Sequence, residues 1–430
     1  TNLTSGLNIS QIYRIGQSAQ SPSIVIAGWQ DNGTGVYRES LGTNKWRTTM
    51  GGDGMECIID PTDSNYQYGA LYYGDIRRTS SGSTLGTGVA GNGTNGINES
   101  GAWVTPYILH NKNPNVMFVG YKNLWRGTNV KGTPTFTKIT TGSASNITAI
   151  EHCEGDTSRL YYSRSDAKLF RTDNLSLTTP SFLDITSRTP VPTSTVQWIE
   201  THPNKPKTVY IIQSNAVYRS DDTGNTWTNI NGTLPSSTKN CLLLDKQATD
   251  GIYVGTDVGV FYRDSTMTDW VPFRTGLPSS SRITELEMFY DYANTTACRI
   301  SASTYGRGLW QSDVYLTNSA PVANFKSDTQ ACTNRTIILQ DLSTKSPDQW
   351  LWTITPATYT FVNGTGATSQ NPQVQFTATG TYTVKLYAKR NGWGYSTITK
   401  SNYITVGSNP PTVGASANLT TICKGTSVNL

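Results

Sequence analysis

Residues 208–229 read TVYIIQSNAVYRSDDTGNTWTN: an apolar run, a polar turn, a second run ending in the doublet Tyr218-Arg219, and a further turn closed by Trp227. The end of that second run recurs along the chain. Val36-Tyr37-Arg38, Ile76-Arg77-Arg78, Leu124-Trp125-Arg126, Leu169-Phe170-Arg171, Val217-Tyr218-Arg219, Phe261-Tyr262-Arg263 and Leu309-Trp310-Gln311 have middle residues spaced by 40, 48, 45, 48, 44 and 48 positions. Short strands and turns repeating with a period in the forties predict a β-propeller. One such sheet cannot bury both faces by itself, so the units must stack around an axis.

Working outward, each unit has the same order. An inner strand comes first, expected at 55–60, 107–110, 149–153, 198–202 and 241–245. A turn rich in Pro, Asn and Asp follows, at 61–65, 111–115 and 203–206, because proline presets φ and Asx side chains bond nearby backbone. A second strand leads into the doublet strand, and several units close on an outer strand with a tryptophan: Trp46, Trp227 and Trp270. The last unit, ending near Tyr315, has no outer strand of its own. Thr1–Leu7 reads like Thr228–Leu234, so Thr1–Thr4 is expected to pair beside Leu309–Ser312, closing a ring of seven blades and removing an open sheet edge.

Ser220-Asp221-Asp222-Thr223-Gly224-Asn225-Thr226-Trp227 fits S-x-D-x-G-x-T-W and resembles the Asp box of sialidase-type and sortilin-type propellers. Its chemistry is that of a turn. The Asp222 carboxylate accepts backbone N–H groups, Gly224 takes a positive φ, Ser220 and Thr226 add hydroxyls, and Trp227 packs between sheets. Weaker copies stand at 79–82 and 172–174. With Ser303–Trp310 and the segments Trp29–Thr34 and Gly51–Gly54, residues 1–316 resemble BNR/Asp-box, sortilin-like and xyloglucanase-like propellers of secreted bacterial proteins.

A polar linker, 317–320, precedes a second pattern over 321–407. Trp350 and Trp352 on one strand, N-P-x-V-x-F at Asn371–Phe376 and G-x-Y-x-V-x-L at Gly380–Leu386 resemble a PKD domain, an Ig-like β-sandwich. The alternation places Phe376, Tyr382, Val384 and Leu386 on one buried face. Residues 410–430 start the pattern again, Cys423 paralleling Cys332. The fold class expected is therefore all-β: a seven-bladed β-propeller, a PKD-type sandwich and the start of another. The chain, which opens at Thr1 and stops inside a strand, is expected to be part of a longer multidomain protein.

Charged residues are 15% of the 430, and the net charge is +5 with no basic run interleaved with aromatics, which argues against nucleic-acid binding. No apolar stretch is long enough to insert as a membrane helix. The six cysteines lie in no metal spacing and are expected as buried free thiols; were all six paired, fifteen connectivities would remain open. His110, His152 and His202 each end an inner strand, where a turn-bonding role is expected.

Sialidase chemistry lacks its F/Y-R-I-P motif. Glycosidase chemistry needs two carboxylates across a bond, and Asp31, Asp53 and Asp257 are the acids to weigh. Asp257 is similar to the T-D-V-G-G aspartate of xyloglucanases, yet Asp31 and Asp257 hold equivalent places in their repeats, which favours a turn role; no catalytic residue is assigned. No cofactor is expected, calcium at these three acids being the alternative. Trp29, Tyr73, Trp103, Tyr121, Trp198 and Tyr305 are the candidates for ligand binding, as flat platforms for sugar faces, against the alternative that each packs between blades. The resemblance implies a type IX secretion cargo at the bacterial surface: an adhesin whose propeller binds a glycan or a cell-surface protein partner. The alternative is a xyloglucanase-like hydrolase of which this is the second propeller.

Overall fold

A computed structural model describes residues 10–42, 45–292, 298–315, 320–343, 347–390 and 394–408. The chain divides into two compact units, Thr1–Leu316 and Thr317–Leu430.

Among the described residues, the first unit contains seven antiparallel sheets in chain order, six with four strands and the last with three. We number them as blades: residues 12–50, 57–90, 107–138, 147–184, 196–229, 239–272 and 283–313 for blades 1 to 7. The doublets fall on the third strands, such as Gly33–Arg38, Ala216–Ser220 and Leu309–Asp313. Burial follows from position: the second strand Val209–Gln213 is buried on both faces, whereas the outer strand Thr228–Asn229 is exposed. The inner strands extend further than the sequence suggests at their starts, with Ile147–His152, Val196–Thr201 and Lys239–Asp245, while that of blade 2 is shorter, Cys57–Ile59. The turn expected at 111–115 is also tighter, because the second strand of blade 3 begins at Asn113 and absorbs Pro114 through a register shift.

Blade 7 closes against blade 1 through described residues. Thr284 Oγ1 donates to Ile12 O at 2.9 Å, the Ile15 N–H donates to Glu285 at 2.6 Å, and Ser301 Oγ donates to Gln17 at 2.9 Å. Gln11 bridges Tyr305, and the Gly306 N–H donates to Ser10 O at 2.8 Å. The pairing expected for Thr1–Thr4 lies outside the described residues.

The Asp222 turn links the third and outer strands of blade 5. One carboxylate oxygen accepts from the Asn225 and Thr226 N–H groups at 3.0 and 2.8 Å and from Ser220 Oγ at 2.7 Å; the other accepts from Thr226 Oγ1 at 2.7 Å. Gly224 sits at φ +86°, a conformation side chains resist, and Trp227 packs on the core between blades 4 and 5. Partial burial opposes ionisation, but these donors hold the Asp222 carboxyl down at about 2. Asp222→Ala is expected to destabilise the propeller by about 1–3 kcal/mol, read by denaturant titration, without touching ligand binding. In blades 2 and 4 the same turn is built from Thr79 with Ser81, and from Thr172 with Asn174.

The second unit is a β-sandwich. Gln330–Cys332, Gly394–Gly407, Gly380–Arg390 and Gln349–Thr355 form one sheet; Thr336–Ile338, Gln373–Phe376 and Tyr359–Val362 form the other, beside a small pair of Phe325–Lys326 with Gln340–Asp341. Phe376, Tyr382, Val384 and Leu386 are fully buried together with Phe325 and Trp352. Trp352 buries its ring and donates Nε1 to Ser369 O at 2.9 Å, while Trp350 donates to Asp341 at 2.8 Å. Residues 410–430, with Cys423, lie outside the described residues.

Candidate functional site

Antiparallel order within each blade fixes which loops share an end of the ring. Turns between second and third strands emerge with the connections between blades, and the remaining turns emerge at the opposite end. The first end therefore collects Asp31, Asp53, Tyr72, Tyr73, Trp103, Asp257 and Tyr305. The opposite end holds the Asp222 turn and the histidines. His110 and His202 each accept two N–H bonds from the following turn on Nδ1, and His152 accepts the Asn111 N–H, so all three bond turns.

On the first end, Tyr72, Tyr73 and Trp103 form an exposed aromatic corner, with 45, 50 and 42% of their surfaces accessible. The Tyr72 and Trp103 rings are parallel within 8° at 5.5 Å, and Tyr73 stands across both at 77° and 82°. The corner is held by backbone. The Tyr73 N–H donates to Trp103 O at 3.4 Å and the Gly101 N–H donates to Tyr73 O at 3.1 Å. Tyr73 occupies the left-handed region at φ 63°, which costs a bulky residue about 1–2 kcal/mol. Gly74 follows at φ 81°, where a Cβ would lie 2.6 Å from the Tyr121 ring.

Tyr121 is not a ligand platform. It is fully buried, and its hydroxyl donates to Gly74 O at 2.7 Å, so it buttresses the corner from below. Trp29 is also turned inward: its ring lies over Gly35 and edge-on to Trp46 at 4.9 Å, in the contact between blades 7 and 1. Trp198 lies in the channel wall with the Arg14 guanidinium 5.5 Å over its ring. Tyr305 is half-buried, bonded through its hydroxyl to Gln30 and covered by Arg282 at 5.7 Å.

The structure brings two of the three acids together. Asp31, at φ 58°, donates its N–H to Asp53 at 2.6 Å, so Asp53 closes the turn that Asp31 makes. Asp257 is placed in the equivalent turn of blade 6, accepting from Asn240 at 2.9 Å and facing Arg282 at 3.4 Å. Among the described residues, no group of three or more His, Cys, Asp or Glu side chains is arranged to hold a metal ion.

The central channel contains what the sequence reading missed. A cavity of about 490 Å³ runs between the inner strands and is lined by Arg14, Glu56, Glu151, Glu200, Glu285 and Glu287. Three of these glutamates reach the inner strand of the next blade. Glu151 accepts from Thr201 N and Oγ1 at 3.1 and 2.6 Å, Glu200 accepts from Leu244 N at 3.4 Å, and Glu285 accepts from Ile15 N. Glu56 pairs with Arg14 at 3.3 Å. Burial pushes Glu56 and Glu151 up to about 7, outweighing Arg14 for the first and the Thr201 donors for the second; Glu200 and Glu285 are raised well above the ordinary range. The available signal was a glutamate inside an apolar inner strand, as in Ile150-Glu151-His152 and Ile199-Glu200-Thr201. Cys57, Cys153, Cys241 and Cys298 are buried free thiols, and Cys332 is a partly exposed one.

Residues 318–406 match the PKD domain family model. Among solved structures, the chain is similar to an ancestral GH74 enzyme, with 11% sequence identity and a TM-score of 0.57, covering 89% of this chain and 59% of the other. The chain thus spans about three-fifths of that enzyme's length, and at this identity the likeness concerns the fold. No curated protein matches the sequence. The molecule is an all-β protein of propeller-plus-PKD architecture.

Proposed function

We propose that the propeller is the ligand-binding head of a secreted, cell-surface protein, carried on a stalk of PKD-type sandwiches. The observation that carries this reading is the aromatic corner on the loop end of the ring. Three large rings are left half-exposed, Tyr73 on a strained backbone, so about half of their apolar surface goes unburied within the fold and points to an external partner. The Asp222 turn and its variants support an Asp-box type of propeller, the group in which type IX cargo adhesins are expected. A glycan or a surface protein is the partner class. The labelled chain is expected to be retained on a glycan array or on intact cells, and Trp103→Ala is expected to abolish that retention with the melting temperature unchanged. Retention that survives this substitution would move the site elsewhere.

The hydrolase alternative draws on the fold likeness to a GH74 enzyme and on Asp257. Against it stand the partners of the acids: Asp53 serves the Asp31 turn and Asp257 is engaged by Asn240 and Arg282. A glycosidase needs one protonated and one ionised carboxyl at fixed separation across the scissile bond. Incubation with xyloglucan, other β-glucans or sialosides is expected to release no sugar. Turnover lost in Asp31→Ala or Asp257→Ala, with the fold kept, would install the hydrolase in place of the binding head.

A further inference from the structure

We infer that the ligand of the aromatic corner is a neutral, hydroxyl-rich polysaccharide, seated on Tyr72, Tyr73 and Trp103 and along the groove beside them; this rests on the binding-head reading above. The groove encloses about 410 Å³, within the range of ~300–1,000 Å³ common for small-ligand clefts. Tyr72 and Tyr73 form one wall and Asn92, Thr94 and Ser100 line it with amide and hydroxyl groups. Aromatic faces suit the C–H faces of a pyranose, and the polar side chains suit its equatorial hydroxyls, so the two kinds of surface meet where a sugar presents both.

Charge decides the class. The charged side chains lining the groove are Asp75 and Arg77, and they neutralise each other through contacts of 2.9 and 3.3 Å. An acidic polymer would need a free cation here and a basic one a free carboxylate. Shape decides the form. Gly86 and Gly88 leave the lining smooth and exposed: a Cβ at Gly86 would meet nothing within 4 Å, and one at Gly88 only the Thr94 methyl at 3.7 Å. Neither glycine is at positive φ, so its absence of a side chain answers to the open groove and not to the backbone. The groove is open at the surface, as an extended chain requires and a closed pocket for a free monosaccharide would not.

The test uses the whole chain in affinity electrophoresis and calorimetry. The probes are soluble neutral polysaccharides (hydroxyethyl cellulose, galactomannan, xyloglucan) and acidic ones (polygalacturonate, alginate), with binding to intact cells in parallel. At least one neutral probe is expected to bind. Tyr72→Ala and Trp103→Ala are each expected to weaken it about tenfold or more. Gly86→Gln, which leaves the rings untouched and fills the groove, is expected to weaken it similarly at an unchanged melting temperature. Binding to the acidic probes alone, lost in these variants, overturns the neutral class and leaves the binding head standing. Cell retention lost in the variants with no polysaccharide bound overturns the glycan and points to a protein partner. Binding to neither cells nor polysaccharides overturns this inference and the proposed function together.

Discussion

Replacing Arg14 by methionine is expected to lower the unfolding free energy by about 3–5 kcal/mol at pH 8 and by much less at pH 5. Arg14 stands on the inner strand of blade 1 with its guanidinium 3.3 Å from Glu56, and it donates to Thr284 O at 3.1 Å, so one side chain ties blades 7, 1 and 2. Burial opposes its charge, but Glu285 and Glu56 more than compensate and raise its pKa. Its removal leaves two buried carboxyls without a cation. Near pH 5 those carboxyls hold their protons in the fold, since burial raises Glu56 to about 7 and Glu285 well above the ordinary glutamate range, and the loss reduces to packing and one hydrogen bond. Methionine keeps much of the stem's volume, which isolates the charge. Chemical denaturation at the two pH values measures the difference, and an equal loss at both would show that Arg14 acts only by packing.

Glu287→Gln is expected to do the opposite. Burial first, and then the facing carboxyls of Glu56 and Glu200, push Glu287 up to about 8 against the pull of Lys246, with Glu285 two residues away on the same strand. Below the ordinary glutamate pKa of 4.5 the carboxyl is protonated in the folded and the unfolded chain alike, and it costs nothing. Between about 4.5 and 8 the unfolded chain releases the proton while the fold retains it. The native state then binds more protons, so stability falls as pH rises and the full penalty is reached above pH 8. At about 1.4 kcal/mol per unit the ceiling is roughly 5 kcal/mol, and solvent entering the channel brings the expected value to about 2–4 kcal/mol. The glutamine chain should match the wild type near pH 4.5 and exceed it by that amount at pH 8.5. Curves that run parallel across this range would show that Glu287 ionises freely.

How much of the molecule was legible differs from element to element. The doublets marked third strands because every blade must present the same face to its neighbours, so the same residue types return at the same place in each repeat. The Asp222 turn was legible for a similar reason: all of its partners lie within seven residues of sequence. Tyr73, Trp103 and Tyr121 read alike in the sequence as rings on or beside loops, and the structure leaves the first two exposed and buries the third. The fate of Tyr121 depends on Gly74, 47 residues earlier, whose bare Cα lets the ring in. The stacking of Tyr72 on Trp103 was not legible, because it joins the turn between the second and third strands of blade 2 to the connection that leaves blade 2.

The sequence by itself determined the repeat, the strand order and the second domain, because periodic apolar patterns and short-range turn chemistry are local properties. Only the tertiary structure decided which side chains face the axis and which face the solvent. Closing seven sheets into a ring turns one alternate set of each inner strand toward a common channel, and that sets Glu56, Glu151, Glu200, Glu285 and Glu287 against one another across distances no single repeat contains. The fold likewise sets the turn of Tyr72 and Tyr73 against the connection that carries Trp103, and so makes an aromatic corner from rings that the chain holds 30 residues apart.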